Sequence, residues 1–393
     1  MNRHGSVFLA FIVWMSLGLG SCAQRTDSGG MTVRDSAGIE IVQHAPGVEG
    51  PTWELRGEPV VQIGVTLGDS LYEFGNVAGV VWRDDGPILV LDRSRRRISL
   101  FGPEGEYIAS SGREGEGPGE YQNPNAIWQI PGDSFAVYDP PMGRVSVLNR
   151  DASFVRSVQV RPIRTLVLPS GSFEDGRLFV VNPFPDSRDY GLATSYTVST
   201  EGTDSLGEFR NIENQDPGPM SAVRRPLVAK VRRLWAGGQW LYVIRNVEHE
   251  LQIQDLNGEP FRIVRWEGRD LTATRESNQH FIEKRLAGSP PARVAGRRRG
   301  LEELVPNDRY PPFERVQMDR EGRAWLQGYR QPFDTGPTEW TIVSHSGELV
   351  GRMDLPEEAV VLDARGESVL LLLTDEFGVE SVAVYGVDRG GWQ

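Results

Sequence analysis

Hydrophobic and polar residues along this chain alternate as short apolar runs separated by polar turns. Residues 88–92 and 97–101 form two such runs joined by a polar turn. The same order recurs at residues 135–139 and 144–148, so that Asp139 follows Asp92 by 47 residues. Runs of about five residues bounded by turn residues are typical of antiparallel strands. The pattern therefore predicts a strand-turn-strand unit that repeats.

Weaker copies of this unit continue toward the C-terminus. Their first runs begin near residues 178, 240, 323 and 369, and each copy contains a polar or glycine-bearing turn. Hairpin-linked strands that repeat every 40 to 50 residues or so are the signature of propeller blades. Two clear and four weaker copies predict an all-β fold, a six-bladed β-propeller spanning residues 38–388.

Two further apolar runs, residues 39–42 and 60–63, precede the first copy and belong to no complete unit. A propeller ring closes when N-terminal strands complete the last blade, because no open sheet edge is then left. We therefore expect the strands within residues 38–75 to pair with the sixth blade.

Residues 270–307 form an insertion between the fourth and fifth copies. Thr274 followed by residues 276–286, with a Gly and a Pro after them, carries the start and stop signals of a helix. A second short helix is expected within residues 293–304. We therefore predict a small helical insertion at this point of the ring.

The insertion is locally basic and carries Arg297, Arg298 and Arg299 in a chain of formal net charge −12. One interpretation is a surface that contacts a partner or anionic lipid headgroups. The other is a solvated cover packed on blade four. The overall negative charge excludes nucleic acid as an expected partner, since phosphates require a basic surface.

The N-terminal residues 1–22 have the pattern of an export signal. Their apolar run, residues 7–19, is shorter than the roughly 20 residues that a membrane-spanning helix needs. Leu19, Gly20, Ser21 and Cys22 then resemble the lipobox of bacterial lipoproteins, which implies that Cys22 carries the lipid. Because Cys22 is the only cysteine, no intramolecular disulfide is expected.

Residues 23–37 are polar and rich in small residues, which predicts a flexible tether between the anchor and the propeller. By resemblance to lipoprotein sorting in Gram-negative bacteria, the absence of Asp directly after Cys22 favours the outer membrane. The expected location is thus the cell envelope, on the periplasmic or the surface face.

Candidate catalytic and metal-binding motifs are sparse. The glycine-rich residues 115–119 are followed by predicted strands, so we interpret them as a turn between blades and not as a phosphate loop. No histidine pair has zinc-like spacing, and no Gly-x-Ser-x-Gly elbow is present. We therefore expect no resident metal, although a calcium site built from different blades in the axial channel stays open as an alternative.

We interpret the repeated aspartates and the strand tryptophans as residues that stabilise the fold. Asp92 and Asp139 end equivalent strands, which indicates a repeated turn-capping role. Four tryptophans, Trp128, Trp235, Trp240 and Trp325, could stack on sugars if exposed, but strand tryptophans more often pack between blades.

Three passages resemble the six-bladed, NHL-like propeller lipoproteins of bacteria: DSAGIEIV at residues 35–42, GREGEGPGEY at 112–121, and YPPF at 310–313 with residues 319–325. The resemblance covers residues 35–388 and implies the propeller fold. It does not imply an activity, because one propeller scaffold hosts lyases, lactonases, dehydrogenases and pure binders.

Two functional hypotheses follow from the complete ring and the lack of a catalytic motif. The first is a lipid-anchored, non-enzymatic binding or scaffolding module for a protein, a peptide or a glycan of the envelope. The alternative is a metal-dependent hydrolase or lyase with its site in the axial funnel.

Overall fold

The computed structural model describes residues 30–64, 68–161, 163, 166–184, 191–216, 218–219 and 224–390, and the backbone of residues 25–27. The predicted signal segment, including Leu19, Gly20, Ser21 and Cys22, lies outside these residues. Antiparallel four-stranded sheets dominate the described chain, and two helices lie between the fourth and fifth sheets.

Five strands precede the first complete sheet. They are β1 (Arg25–Asp27), β2 (Met31–Ser36), β3 (Ile39–His44), β4 (Thr52–Leu55) and β5 (Val61–Ile63).

The first three blades are consecutive four-stranded meanders. Blade 1 contains β6 (Val77–Trp82), β7 (Ile88–Asp92), β8 (Arg97–Phe101) and β9 (Tyr107–Ser111). Blade 2 contains β10 (Ala126–Ile130), β11 (Ser134–Asp139), β12 (Arg144–Leu148) and β13 (Phe154–Gln159). Blade 3 contains β14 (Leu168–Ser172), β15 (Leu178–Asn182), β16 (Leu192–Val198) and β17 (Thr203–Arg210).

The last three blades surround the helical insertion. Blade 4 contains β18 (Arg233–Gly237), β19 (Trp240–Ile244), β20 (Glu250–Gln254) and β21 (Pro260–Arg265). The helices α1 (Arg275–Leu286) and α2 (Pro291–Glu302) follow. Blade 5 contains β22 (Phe313–Met318), β23 (Ala324–Gly328), β24 (Thr338–Val343) and β25 (Leu349–Leu355). Blade 6 contains β26 (Val360–Arg365), β27 (Ser368–Thr374) and β28 (Glu380–Arg389), completed by β5.

Blade 1 shows why the strands occupy these positions. β7 is buried along its whole length, whereas β9 alternates between half-buried and exposed residues. The second strand of a blade lies between two neighbouring sheets, so both of its faces require apolar side chains. An outermost strand requires only one apolar face. The repeat detected in the sequence therefore marks mainly the buried middle strands of the blades.

The ring is closed by N-terminal strands, as the sequence predicts. β5 pairs antiparallel with β28, where Gln62 lies opposite Ala383, and so forms the outer strand of blade 6. β4 adds a second closure, because it pairs in parallel with β25 of blade 5 and antiparallel with β28. The all-β, six-bladed assignment and the helical insertion are thereby confirmed.

The position of β3 differs from the prediction that all strands within residues 38–75 pair with blade 6. Instead, β3 pairs in parallel with β21, on the outer edge of blade 4, with Ile41 opposite Ile263. The free backbone groups of that edge strand offer hydrogen bonds that an early segment of the chain can complete. The prediction is thus correct for β5 and wrong for β3.

Part of the predicted flexible tether, residues 23–37, is also structured. β2 pairs antiparallel with β3 through a tight turn in which Ala37 and Gly38 have φ angles of 55° and 84°. β1 pairs with β2 in turn. Met31 and Val33 pack against the apolar cluster between blades 4 and 5, which explains why this segment is ordered. The tether prediction is therefore wrong for residues 31–36.

Six separate apolar clusters fill the spaces between neighbouring blades, one for each junction of the ring. Each cluster takes buried side chains from the facing sheets of two blades, which is the main source of stability in such a fold. Representative pairs are Leu91 and Val137 for blades 1 and 2, Tyr138 and Val180 for 2 and 3, Phe179 and Val243 for 3 and 4, Ile253 and Leu326 for 4 and 5, Trp340 and Leu371 for 5 and 6, and Leu370 and Val90 for 6 and 1.

Candidate functional site

One end of the propeller carries the features that are most suited to binding. In a four-stranded meander, the turn between the second and third strands lies at the same end as the connections between blades. We call this end the top face. It carries the insertion with α1 and α2 and a pocket with a volume of about 600 Å³.

This pocket, which we call the basic pocket, lies between the two helices, the connection from blade 3 to blade 4, and one turn of blade 5. Its lining contains more apolar side chains than polar ones, and three of the polar ones are arginines. The lining residues are Arg225, Pro226, Leu227, Val228, Ala229, Phe281, Arg285, Arg297, Gly300, Leu301, Leu304 and Tyr329. The arrangement combines cationic groups with an apolar wall.

Local sequence determines where α1 begins. The Thr274 hydroxyl accepts a hydrogen bond from Ser277 N at 3.1 Å, and the Ser277 hydroxyl accepts one from Thr274 N at 2.9 Å. This reciprocal capping satisfies backbone groups that the first helical turn leaves without partners. The cap fixes the start of the helix that carries Phe281 and Arg285.

Asn307 connects the insertion to the segment on the other side of the basic pocket. Its Oδ1 accepts a hydrogen bond from Val228 N at 2.7 Å, and its Nδ2 donates to Val228 O at 2.8 Å. Asn307 is buried, so both bonds form away from water. Backbone bonds between Val305 and residues 225 and 227 continue the connection. Residues 225–228 and 305–307, which are distant in sequence, are therefore held together beside the basic pocket.

The three arginines of the basic pocket have no salt-bridge partner within the described residues. The guanidinium of Arg285 lies over the Phe281 ring, 5.1 Å from its centroid. Arg297 Nη1 donates to the Ser289 hydroxyl at 2.8 Å. Arg225 interacts through its backbone carbonyl, which accepts from Val305 N. Among the residues that the structure describes, no carboxylate is thus close enough to neutralise their positive charges.

The three arginines predicted as partner contacts have different surroundings. Arg297 lines the basic pocket. Arg298 pairs with Glu283 of α1, with Nη2 to Oε2 at 2.7 Å, and this guanidinium lowers the pKa of the Glu283 carboxyl. Arg299 is exposed. The three arginines therefore have different roles: Arg297 lines the pocket, Arg298 joins the two helices, and Arg299 faces solvent.

Tyr329, which follows β23 of blade 5, also lines the pocket. Burial raises the pKa of this phenol well above its usual value, with smaller contributions from Tyr310 and Glu314. The rings of Tyr310 and Tyr329 stack with centroids 5.8 Å apart. The phenol therefore stays neutral and can donate a hydrogen bond at physiological pH.

Exposed apolar side chains mark the turns between the second and third strands of four consecutive blades. They are Phe184 in blade 3, Val247 in blade 4, Phe333 in blade 5 and Phe377 in blade 6. Phe377 is 76% exposed and Phe333 is 53% exposed. Exposed apolar residues thus occupy the same turn in four of the six blades, and exposed apolar surface commonly marks interaction sites.

A second, smaller pocket of about 290 Å³ opens beside blade 6. Leu55, Ala359, Leu371, Leu373 and Tyr385 form its apolar lining. Thr374 and Asp375 also line it and lie next to the turn that carries Phe377.

The glycine-rich loop is a turn between blades 1 and 2, as its sequence indicates. Gly117 N donates to the carboxylate of Glu120 at 2.8 Å, and this bond and the Arg113 guanidinium lower the pKa of Glu120. Gly119 has a φ of 72°, a left-handed conformation that favours glycine. A carboxylate of the loop itself thus occupies the amide that an external phosphate would need.

Asp92 and Asp139 have the equivalent capping roles predicted from the repeat. Asp92 accepts hydrogen bonds from Gly75 N at 3.0 Å and Ser94 N at 2.9 Å. Asp139 accepts from Gln122 N at 2.7 Å. Each carboxylate therefore joins a blade to the incoming connection from the preceding blade.

Trp128 and Trp325 pack between blades, and the half-buried Trp235 and Trp240 pack against the cluster between blades 4 and 5. Trp128 lies in the cluster between blades 2 and 3, and its indole N–H donates to Gly176 O at 2.9 Å. Trp325 is fully buried between blades 5 and 6, and its indole N–H donates to Asp319 at 2.8 Å. Neither the Trp128 ring nor the Trp325 ring is therefore available to stack on a sugar.

The described histidines have structural contacts. His44 bonds to Gly347 O at 2.8 Å, and His345 bonds to the Tyr242 hydroxyl at 2.8 Å. Burial lowers the pKa of His249 to about 4, so its imidazole is neutral at physiological pH. Within the described ranges of the chain, no three His, Cys, Asp or Glu side chains are grouped so that they could hold a metal ion.

Neither α1 nor α2, nor any other helical segment within the described ranges, is long and apolar enough to cross a membrane.

Residues 69–159 match the model of the DUF5128 family, described as a 6-bladed beta-propeller. This segment contains blades 1 and 2, in which the repeat is clearest. Together with the six sheets and six junctions, the match identifies the chain as a six-bladed β-propeller, as the resemblance to bacterial propellers implies. No match was found among curated proteins.

Several solved structures are similar to this chain. A candidate exported protein of Bacteroides fragilis is 12% identical, with 89% of this chain and 99% of that chain covered and a TM-score of 0.49. A DUF4221 family member of Bacteroides vulgatus is 10% identical, with coverage of 87% and 100% and a TM-score of 0.49. The calcium-binding protein regucalcin of Agrobacterium tumefaciens is 8% identical, with coverage of 88% and 98% and a TM-score of 0.41. Identity this low does not extend their activities to this chain.

Proposed function

We propose that this protein is an exported, lipid-anchored binding module of the cell envelope, and that the top face of its propeller binds a protein, a peptide or a glycan. The observation that carries the proposal is the row of exposed apolar side chains on blades 3 to 6, next to the basic pocket. Apolar groups surrounded by polar surface are a common feature of interaction sites.

The proposal of membrane attachment is supported by the sequence. An apolar leader ends in Leu19, Gly20 and Ser21 before the single Cys22. A lipid on Cys22 would keep the propeller at the membrane surface without a spanning helix. The outer membrane is the proposed location because no Asp follows that cysteine.

The rigid ring supports binding better than a role that requires large movements. Buried clusters occupy all six junctions, and two N-terminal strands close the ring. A rigid scaffold lowers the entropy that its surface loops lose when a ligand binds. The blades that carry the top-face turns are therefore held in a nearly fixed arrangement.

The test is a binding screen with purified protein against arrays of envelope peptides and of cell-wall glycan fragments. Hits are then measured in solution with the double variant Phe333→Ser, Phe377→Ser. The matched control is Ile108→Ser, Val155→Ser, which changes exposed apolar residues on the outer strands β9 and β13. We expect the top-face variant to lose at least about tenfold in affinity and the control to retain it. Binding that is equal in both variants, or no binding to any member, would contradict the proposal.

A further inference from the structure

The basic pocket differs in charge from the rest of the molecule. The chain has a formal net charge of −12, yet the described lining contains Arg225, Arg285 and Arg297 and no Asp or Glu. Arginines elsewhere are often neutralised at close range, as Arg269 is by Asp334 at 2.8 Å. Three unpaired guanidiniums around one cavity produce a local positive potential that attracts an anion.

Each pocket arginine comes from a different element. Arg225 belongs to the connection that leads to blade 4, Arg285 to the last turn of α1, and Arg297 to the middle of α2. Asn307 and the Val305 backbone hold these elements together. The cations are therefore brought together by the tertiary structure and not by a run of basic residues in the sequence.

The geometry of the helices favours a carboxylate over a phosphate. Phosphate sites commonly use the amide groups of a helix N-terminus. Here α1 contributes Phe281 and Arg285, and α2 contributes Gly300 and Leu301, all in the second half of their helices. The carbonyl ends of helices carry partial negative charge, which opposes a dianion more than a monoanion. Guanidinium groups bind carboxylates and phosphates alike with parallel hydrogen bonds, so the preference for a carboxylate rests on the helix ends.

The remaining lining is suited to an apolar group attached to the anion. Phe281, Leu301 and Leu304 provide an apolar wall beside the arginines. Tyr329 also lines the cavity, and burial keeps its phenol neutral. A volume of about 600 Å³ is in the range of sites for small molecules or for the end of a peptide.

We propose that the basic pocket binds the carboxylate of a ligand whose apolar group packs against Phe281, Leu301 and Leu304. This inference deepens the proposed function, on which it rests for the envelope ligand. The carboxylate can belong to a free organic acid or to the C-terminus of a peptide with an apolar last residue. Both sources share the same recognition chemistry.

The probes are 4-phenylbutyrate, acetyl-Ala-Phe with a free C-terminus, and the neutral amide of each, all measured by calorimetry or by ligand-observed NMR. We expect at least one acid to bind and its amide to bind at least about tenfold more weakly, because a charge-assisted hydrogen bond is lost. Preference for the peptide or for the free acid identifies the source of the carboxylate. Failure of both acids to bind, or equal binding of acid and amide, would overturn the proposal.

Phenyl phosphate tests the preference for a carboxylate over a phosphate. Acetate, which has no large apolar group, tests the role of the apolar wall. Tighter binding of phenyl phosphate than of both acids would overturn the assignment of a carboxylate. Acetate that binds as tightly as 4-phenylbutyrate would overturn the role of the apolar wall.

Variants locate the binding to the pocket. Arg285→Gln and Arg297→Gln, singly and together, are expected to weaken the acid by about tenfold or more. Arg225→Gln provides an independent test outside the helices. The matched control is Arg299→Gln, which removes the same charge from α2 but does not line the pocket. Equal weakening by the control would indicate a nonspecific charge effect and overturn the site.

The outcomes of the two proposals are distinguishable. If macromolecular ligands depend on Phe333 and Phe377 while no acid binds, the proposed function stands and the pocket inference fails. If an acid binds through Arg285 and Arg297 while no array member binds, the pocket inference stands and the proposed function fails.

Discussion

Asn278 and Asn307 are joined by two hydrogen bonds, in which Asn278 Nδ2 donates to Asn307 O at 2.8 Å and Asn278 Oδ1 accepts from Asn307 N at 3.2 Å. The side chain of Asn307 makes the same two-way contact with the backbone of Val228. Two buried amides in series, those of Asn278 and Asn307, thereby link α1 to the Val228 segment on the other side of the basic pocket.

We predict that Asn307→Ala destabilises the insertion by about 2–4 kcal/mol, because the N–H and C=O of Val228 lose buried partners. Hydrogen exchange of residues 275–305 and urea unfolding provide the measurement. Asn257→Ala changes an exposed turn between β20 and β21 and is expected to shift stability by less than about 0.5 kcal/mol. Unchanged exchange in the insertion would show that Asn307 does not hold it in place.

A second prediction concerns closure of the ring. Ile63 is fully buried between blades 6 and 1, whereas its neighbour Val60 is 74% exposed. We expect Ile63→Ala to lower the free energy of unfolding by about 2–5 kcal/mol through loss of packing. Val60→Ala is expected to change it by less than about 0.5 kcal/mol. Chemical denaturation measures both, and similar values for the two variants would argue against closure by β5.

A third prediction concerns the face opposite the top face. Asp363 of β26 pairs with Arg320, with Oδ2 2.8 Å from Nε, but burial raises the pKa of this carboxyl to about 6. An unfolded Asp titrates near 3.9, so the folded state binds the proton more tightly. The stabilisation from this group is therefore complete below about pH 4 and is lost as the pH rises through about 6.

We expect this group to lower the free energy of unfolding by up to about 3 kcal/mol between pH 4 and pH 7. Asp363→Asn should remove that part of the pH dependence. Urea unfolding of both proteins across this range gives the difference directly. A difference between wild type and variant that does not change with pH would contradict the prediction.

A fourth prediction tests attachment to the membrane. In cells given a labelled fatty acid, the wild-type protein is expected to carry the label and to sediment with membranes. Cys22→Ser should abolish labelling, because no other cysteine is available. Ser21→Ala keeps a small residue before the cysteine and should retain both properties. Labelling of the Cys22→Ser protein would rule out this anchor.

The blades could be predicted because their signal is local and repeated. Asp92 and Asp139 end equivalent strands, and their hydrogen bonds show that the repeat reflects a shared structural role. The pairing of β3 with β21 could not be predicted, because some 220 residues separate the two strands and any free sheet edge offers similar hydrogen bonds. Local pattern therefore determines the strands but not all of their partners.

Only part of the candidate site could be predicted from the sequence. The basic insertion directed attention to Arg297, which does line the pocket. Arg225 gave no such signal, because it reaches the pocket only through the contacts of Val228 and Val305. Phe377 could have been noticed, since an aromatic residue between Glu376 and Gly378 is unusual in a polar turn.

The order of the N-terminal strands has a mechanical consequence. A force applied to the N-terminus reaches β2 and β3 before it reaches β4 and β5. The pairing of β3 with blade 4 bears the load first, and detaching it leaves the bonds of β5 to blade 6 intact. Under such a force, the strands at the outer edge of blade 4 detach first, and the closure of the propeller ring is preserved.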